Sequence, residues 1–213
     1  MLWNLWYPAL ITVLVCYLLG NLNGSVCISQ IIANEDVRTK GSGNAGLTNF
    51  FRSYGSWSTL LVLAIDLGKT ILACLAGGLI FKDYGYEAEG AMVGAIAVSF
   101  GHDFPALLGF RGGKGIICGL AVAIAIDWRI AVIALSVFIV IFAITRYVSL
   151  GSILGALTLS GLFLWLHWDN LFVGIGGAFL GLLAVFMHRG NIKRLVKGTE
   201  KKVHLIHRDK NKE

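Results

Sequence analysis

Long apolar runs recur along almost the whole chain, and they constrain its fold more than any other feature. A helix needs about 20 predominantly apolar residues to cross a bilayer. The apolar runs cover residues 5–33, 57–81, 91–109, 116–126, 130–145, 150–166 and 170–187. No segment long enough for a soluble domain lies between them. We therefore predict an all-α, polytopic membrane helix bundle of about seven transmembrane helices, with residues 1–213 forming a single domain.

The composition excludes several other classes of protein. Hydrophobic residues make up 56% of the 213 residues and charged residues only 14%, whereas about a quarter of an average soluble domain is charged. A disordered chain, a secreted disulfide scaffold and a cytosolic enzyme are therefore excluded. The four cysteines each lie alone in apolar sequence without metal-ligand spacing, so we expect packing residues. No metal and no cofactor are expected.

The distribution of Lys and Arg predicts the orientation, because short cytoplasmic loops carry an excess of these residues. If all seven runs cross and the N-terminus is outside, fifteen of the eighteen Lys and Arg residues lie inside. Lys82 and Arg129 then lie outside, and Lys69 lies within a span. The weak span is 116–126, since a helix of that length rises only about 16 Å. Without it the basic C-terminal tail would be outside, so we predict seven crossings and a cytoplasmic C-terminus.

The first polar cluster is a glycine-rich segment that we expect to form a loop on the inner side. Successive backbone N–H groups in such a loop can form a concavity that binds anions, and a guanidinium adds a planar fork suited to phosphate. The alternative is a tight turn with ordinary helix caps. The candidate ligands are Gly41, Ser42, Gly43, Asn44, Thr48, Asn49 and Arg52.

The second cluster joins Gly101-His-Asp-Phe-Pro105 to Gly112-Gly-Lys-Gly115, directly before an apolar run. Exposed N–H groups, the positive end of a helix dipole and a lysine all favour phosphate at such a place. The spacing is not that of a Walker A motif, and a short positive-inside loop is the alternative. The candidates are His102, Gly112, Gly113, Lys114 and Gly115, although His102 is equally compatible with a helix-packing hydrogen bond.

Two further clusters follow the fifth and the seventh apolar runs. They supply the candidates Arg146, Ser149, Ser152, His188, Asn191 and Arg194. Residues three apart lie on one side of a helix, so the last three share a face if the helix continues past Met187. Together, the four clusters predict a site for a phosphorylated small molecule at the membrane surface, beside a lipid-facing groove suited to an acyl chain.

One ionisable pair lies inside an apolar run rather than beside it. Asp66 and Lys69 stand three residues apart in the second run. Ionisable residues at membrane depth usually pair with one another. We predict a structural ion pair within the bundle, with a functional role as the alternative.

The order and spacing of these clusters resemble those of the bacterial acyl-phosphate glycerol-3-phosphate acyltransferases, which are integral membrane enzymes of phospholipid synthesis. Three segments carry the resemblance: residues 41–52, 101–115 and 188–195. The resemblance implies a seven-helix bundle in the bacterial inner membrane with its active site at the cytoplasmic face. It implies acyl transfer from acyl phosphate to the 1-hydroxyl of glycerol 3-phosphate, giving lysophosphatidic acid and phosphate. The alternative is a membrane transporter of a phosphorylated small molecule.

Such a reaction must bring two anionic substrates together against their repulsion. That work is expected of the Ser42–Gly43 backbone and of Arg52, Lys114, Arg146 and Arg194. The expected catalytic residues are His188, Lys114 and Ser42, and either His188 or a substrate phosphate oxygen takes the proton of the hydroxyl group. The expected partners are the two substrates and membrane lipid. Nucleic acid is not expected as a partner, and the chain is expected to act as a monomer.

Overall fold

The computed structural model describes residues 5–203 and folds this part of the chain into ten α-helices with no β-strand. The helices are α1 Trp6–Gly20, α2 Gly24–Ala33, α3 Leu47–Tyr54, α4 Ser56–Lys82, α5 Glu87–Asp103, α6 Ile116–Ile126, α7 Trp128–Thr145, α8 Val148–Leu166, α9 Leu171–Met187 and α10 Arg189–Val196. The predicted outside N-terminus and cytoplasmic C-terminus fall on residues 1–4 and 204–213, outside the described residues.

Polar residues between the apolar runs begin the next helix. The side-chain oxygens of Asn23, Asp127 and Asn170 accept hydrogen bonds from backbone N–H groups in the first turns of α2, α7 and α9. Side chains of this type stabilise a helix start because the first N–H groups have no partner within the helix. The polar breaks in the sequence therefore become helix boundaries.

Five helical stretches within residues 5–203 are long and apolar enough to cross a membrane. They are Trp6–Ala33, Trp57–Lys82, Glu87–Leu108, Trp128–Thr145 and Val148–Leu166. A sixth membrane-spanning stretch is present if two helices that meet at a bend of 54°, Leu171–Met187 and Arg189–Val196, count as one span. The protein is therefore a multi-pass, all-α membrane protein. The seventh crossing depends on the short helix α6 and stays a prediction.

Although α6 is short, it connects the two ends of the bundle. At its start, the loop before it contacts the end of α5, where Gly113 N donates to His102 O at 3.0 Å. At its finish, Asp127 contacts the turn at residues 167–170, and the same turn contacts Glu89 at the start of α5. Because α5 begins at one end and finishes at the other, α6 runs between the same two ends in the opposite direction.

The turn at residues 167–170 marks one end of the bundle as a membrane interface. Trp128, Trp165 and Trp168 lie at or beside this turn and are exposed. Tryptophan is enriched where a protein passes from hydrocarbon to headgroups. The polar clusters identified in the sequence lie at the opposite end.

The predicted ion pair inside the bundle is confirmed. Lys69 Nζ lies 2.9 Å from Asp66 Oδ1, and both side chains are buried. Lys69 also donates to the carbonyls of Gly20 and Leu22 at the break between α1 and α2. A buried charge is stable only when it is paired and hydrogen-bonded, and the free carbonyls at the end of α1 supply the remaining partners. The pair therefore stabilises the helix break.

Candidate active site

Four polar segments meet at the end of the bundle opposite the tryptophans. They comprise residues 36–52, 108–115, 146–152 and 188–203. The hydrogen bonds that join them include Asn44 Nδ2 to Gly112 O at 3.3 Å, Lys114 Nζ to Asn191 Oδ1 at 2.6 Å, and Val203 N to Arg146 O at 3.0 Å. The structure thus brings the four clusters found in the sequence to one place, although they are spread over some 160 residues.

The first polar cluster is only partly a loop. Its loop ends at Gly46 because α3 begins at Leu47, so Thr48, Asn49 and Arg52 lie on a short helix. Arg52 is exposed there, and its Nη2 donates to Lys201 O at 3.5 Å. Most of its guanidinium donors therefore stay available to a ligand.

Asn49 holds the glycine-rich loop together. Its Oδ1 accepts from Ser42 N at 2.8 Å, and its Nδ2 lies 3.0–3.1 Å from the carbonyl oxygens of Val37, Lys40 and Asn44. These contacts use both the acceptor and the donor end of the amide. The geometry favours a supporting role for Asn49 over the direct substrate contact predicted from the sequence.

The loop before α6 is shaped by close contact with the end of α5. Gly112 N and Gly113 N donate to the carbonyls of Asp103 and His102. The sequence predicted that these two N–H groups would be open to a phosphate, but in the structure they are already bonded. A Cβ at Gly113 would collide with the His102 ring. Gly115 has a φ of +69°, which favours glycine. The glycines therefore allow the loop to lie on α5 and turn into α6.

His102 supports this loop from within the bundle. Its side chain is buried, and its Nδ1 lies 2.9 Å from Lys69 Nζ. An ammonium group only donates, so Nδ1 accepts and the ring proton lies on Nε2, beside Gly113. These contacts favour the helix-packing alternative for His102 over direct substrate binding.

Lys114 is the cation that the loop presents to the rest of the site. Its ammonium donates to Asn191 Oδ1 at 2.6 Å. Burial lowers the pKa of Lys114 to about 8. The positive charges of Arg194 and Arg52 lower this pKa as well, whereas the negative charge of Glu200 raises it. Lys114 and Arg52 are therefore close enough for their charges to interact. A bound anion would stabilise the charged form of Lys114 and raise its pKa.

The last apolar helix breaks at His188, so the condition under which His188, Asn191 and Arg194 would share the face of one continuous helix is not met. α9 ends at Met187, and α10 starts at Arg189 after a bend of 54°. His188 is buried, and its Nδ1 lies 2.7 Å from Ala184 O. Because a carbonyl oxygen only accepts, Nδ1 carries the proton. In the neutral ring, Nε2 is then a proton acceptor.

Glu200 is the residue of this site that sequence reasoning missed. Its carboxylate accepts from Asn191 Nδ2 at 2.7 Å and from Arg194 Nε at 2.6 Å. Burial favours a higher pKa for Glu200, but the hydrogen bonds from Asn191 and Arg194 outweigh it and hold the pKa below its usual value. The signal in the sequence was an isolated acid within a basic run, Lys197-Gly-Thr-Glu-Lys-Lys202.

The remaining candidates lie around this centre. Gly41, Ser42 and Gly43 are exposed on the loop before α3. Ser149 and Ser152 are buried in the first turns of α8. Arg146 is exposed between α7 and α8, where its φ is +63°. The result is a centre of polar groups, in which Asn191 and His188 are buried and Lys114 and Glu200 are half-buried, with exposed arginines around it.

This architecture defines a class of protein, namely a multi-pass membrane bundle with a cationic polar cluster at one end. Residues 10–198 match the sequence profile of the glycerol-3-phosphate acyltransferase family. The chain belongs to this family. It is therefore an acyltransferase, and the transporter alternative is set aside.

Relatives agree over nearly the full length of the chain. The glycerol-3-phosphate acyltransferases of Thermoanaerobacter sp. (strain X514) and Clostridioides difficile (strain 630) are 38% and 39% identical, and each alignment covers 92% of this chain and 96% of the relative. The crystal structure of PlsY (YgiH), an integral membrane glycerol 3-phosphate acyltransferase, in its glycerol 3-phosphate form gives a TM-score of 0.83 at 33% identity, covering 92% of this chain and 96% of that one. Its lysophosphatidic acid form gives 0.79 at 31% identity, with coverage of 92% and 95%.

Proposed function

We propose that this enzyme transfers a fatty acyl group from acyl phosphate to the 1-hydroxyl of glycerol 3-phosphate, giving lysophosphatidic acid and inorganic phosphate. The similarity to PlsY, which was crystallised in glycerol 3-phosphate and lysophosphatidic acid forms, supports the acceptor and the product. The observation that carries the proposal is the cluster of Lys114, Asn191 and Arg194 beside His188. It combines cations for phosphate groups with one proton acceptor.

The cations account for the binding of two phosphate-bearing substrates. A phosphate monoester carries up to about two negative charges near neutral pH, so two such substrates repel each other. Lys114 is a flexible point charge at the centre of the site, and Arg52 and Arg194 add planar forks that suit phosphate oxygens. Positioning and electrostatic stabilisation would supply most of the rate enhancement.

The chemistry needs no covalent enzyme intermediate because acyl phosphate is already an activated donor. The 1-hydroxyl oxygen attacks the acyl carbonyl carbon and forms the new ester C–O bond. The bond between the acyl carbon and the phosphate oxygen breaks, and inorganic phosphate leaves with the electron pair. His188 Nε2 takes the hydroxyl proton, and its Nδ1–H bond to Ala184 O holds the ring in the tautomer that this step requires.

The proposal extends to the cellular setting. The site would face the cytoplasm from the bacterial inner membrane, because the basic loops lie at this end and short cytoplasmic loops carry an excess of Lys and Arg. The enzyme would act as a monomer, since a single chain supplies every residue of the site. No cofactor or metal is needed for the step proposed.

An assay of donor specificity tests the proposed reaction. Purified protein in lipid is expected to form lysophosphatidic acid from glycerol 3-phosphate and acyl phosphate, and to give little product from acyl-coenzyme A. The site offers a compact cluster of cationic side chains rather than a surface for a nucleotide. Turnover of acyl-coenzyme A at the rate seen with acyl phosphate would contradict the proposed donor.

Thiol labelling in intact cells tests the orientation. In a chain whose native cysteines are replaced, a membrane-impermeant maleimide is expected to label Tyr84→Cys, in the turn between α4 and α5. Leu205→Cys, in the C-terminal tail, is expected to react only after the membrane is opened. Labelling of both positions from the same side would contradict the odd number of crossings.

A further inference from the structure

Arg38 makes side-chain hydrogen bonds between the first two segments of the site, residues 36–52 and 108–115. It lies in the 3-10 turn Val37–Thr39, and its Nη1 donates to Leu108 O at 2.6 Å and to Arg111 O at 3.1 Å. The other edge of its guanidinium contacts both carboxylate oxygens of Asp36 at 2.7–3.0 Å. Only about a fifth of its side chain is exposed, 21%. Arg38 is therefore held between an acid and two carbonyls of the loop before α6.

The position of these two carbonyls matters for Lys114. Arg111 directly precedes the Gly112–Lys114 segment, and Leu108 lies four residues before it. The N–H groups of Gly112 and Gly113 fix that segment to α5 on one side, and Arg38 fixes it to the first loop on the other. Moving a binding group by about 1 Å can cost about a hundredfold in rate. The direction in which Lys114 extends thus depends on an anchor at each side of the loop.

We infer that Arg38, oriented by Asp36, is a positioning residue for Lys114. It acts through the loop backbone and does not itself contact substrate. The inference rests on the proposed function, in which Lys114 binds a substrate phosphate. Lysine cannot replace arginine here, because only a planar guanidinium offers one edge to a carboxylate and another edge to two carbonyls.

A role as a simple topology signal does not account for this geometry. A cation that only marks the inner side of a membrane can project into water or among headgroups. Arg111, three residues before Lys114, is such a cation because its side chain is exposed. Arg38 instead has all three of its guanidinium nitrogens bonded to protein acceptors. Arg111 is therefore a matched control for the loss of positive charge at this loop.

The test compares Arg38→Lys and Arg111→Gln in purified protein reconstituted in lipid. Lys114→Ala is expected to raise the KM for one substrate, and Arg38→Lys is expected to raise that KM about tenfold, the lower end of the loss for a hydrogen bond to a charged group, with a smaller change in kcat. Arg111→Gln is expected to match the wild type. If Arg38→Lys matches Arg111→Gln, the inference is overturned. Asp36→Asn, which weakens the same contact without changing the arginine, is the second variant if Arg38→Lys does not fold.

A double-mutant cycle separates positioning from a general loss of structure. In a Lys114→Ala background, Arg38→Lys is expected to cause no further rise in that KM, because the group it positions is already absent. If Arg38→Lys raises the KM by the same factor with and without Lys114, Arg38 does not act through Lys114 and the inference is overturned. If Lys114→Ala itself retains the wild-type KM, the proposed phosphate contact of Lys114 fails instead, so the two failures are distinguishable.

Discussion

Replacing His188 by alanine is expected to lower kcat by about 100- to 10,000-fold, the usual range for loss of a general base. The bond from Nδ1–H to Ala184 O leaves Nε2 as the proton acceptor, and alanine supplies no acceptor. His188→Gln keeps polarity without the same basicity and should be nearly as inactive. The measurement is the initial rate of lysophosphatidic acid formation with both substrates saturating.

His167→Gln serves as the control for the loss of a histidine. His167 lies at the opposite end of the bundle, 3.5 Å from Asp127, and its replacement is expected to leave the rate unchanged. A loss of less than about tenfold in His188→Ala would contradict the assignment of a general base. It would favour proton transfer to a substrate phosphate oxygen, the alternative that the sequence left open.

Removing the charge of Lys114 is expected to have the next largest effect. A hydrogen bond to a charged group is worth about 1.5–3 kcal/mol, so Lys114→Ala should lower kcat/KM by about 10- to 150-fold. Arg52→Lys should also lose activity because it keeps the charge but not the fork. Lys40→Gln, in the first loop, is the matched control because Lys40 pairs with Glu35 rather than with the site. Wild-type turnover in Lys114→Ala would show that Lys114 only marks the cytoplasmic side of the membrane and does not bind substrate.

The pH dependence provides a second measurement on the same residue. Because the pKa of Lys114 is lowered to about 8, its charge is present below that pH and is lost as the pH rises through it. The kcat/KM for a phosphate-bearing substrate is therefore expected to fall above about pH 8, since this constant reports ionisations of the free enzyme. Lys114→Arg stays charged at high pH, so its profile should lack this fall.

The prediction of a membrane bundle depended on patterns that are local in sequence. A transmembrane run is recognised from its own residues, and helix starts follow from residues such as Asn23 and Asp127. The Asp66–Lys69 pair was also accessible, because three residues of helix bring two side chains to the same side. The polar clusters were found for the same reason, since glycine-rich and basic segments stand out between apolar runs.

The roles of individual residues within those clusters were much less accessible. A glycine-rich loop with asparagine has the same composition whether it binds an anion or bonds to itself. Asn49 and the N–H groups of Gly112 and Gly113 do the latter. The spacing of His188, Asn191 and Arg194 likewise did not show whether α9 continues past Met187 or breaks there. In each case the composition of the motif does not show which partner a polar group has in the folded chain.

The sequence by itself determined that this protein is a multi-pass helical membrane protein, and it located the segments that carry its polar groups. The tertiary structure alone decided which of these groups meet: Arg38 with carbonyls 70 and 73 residues away, and Lys114 with Asn191 77 residues away. The physical reason is that hydropathy and helix capping act within a few residues. Hydrogen bonds between loops depend on where helix packing places the ends of α5, α6 and α9.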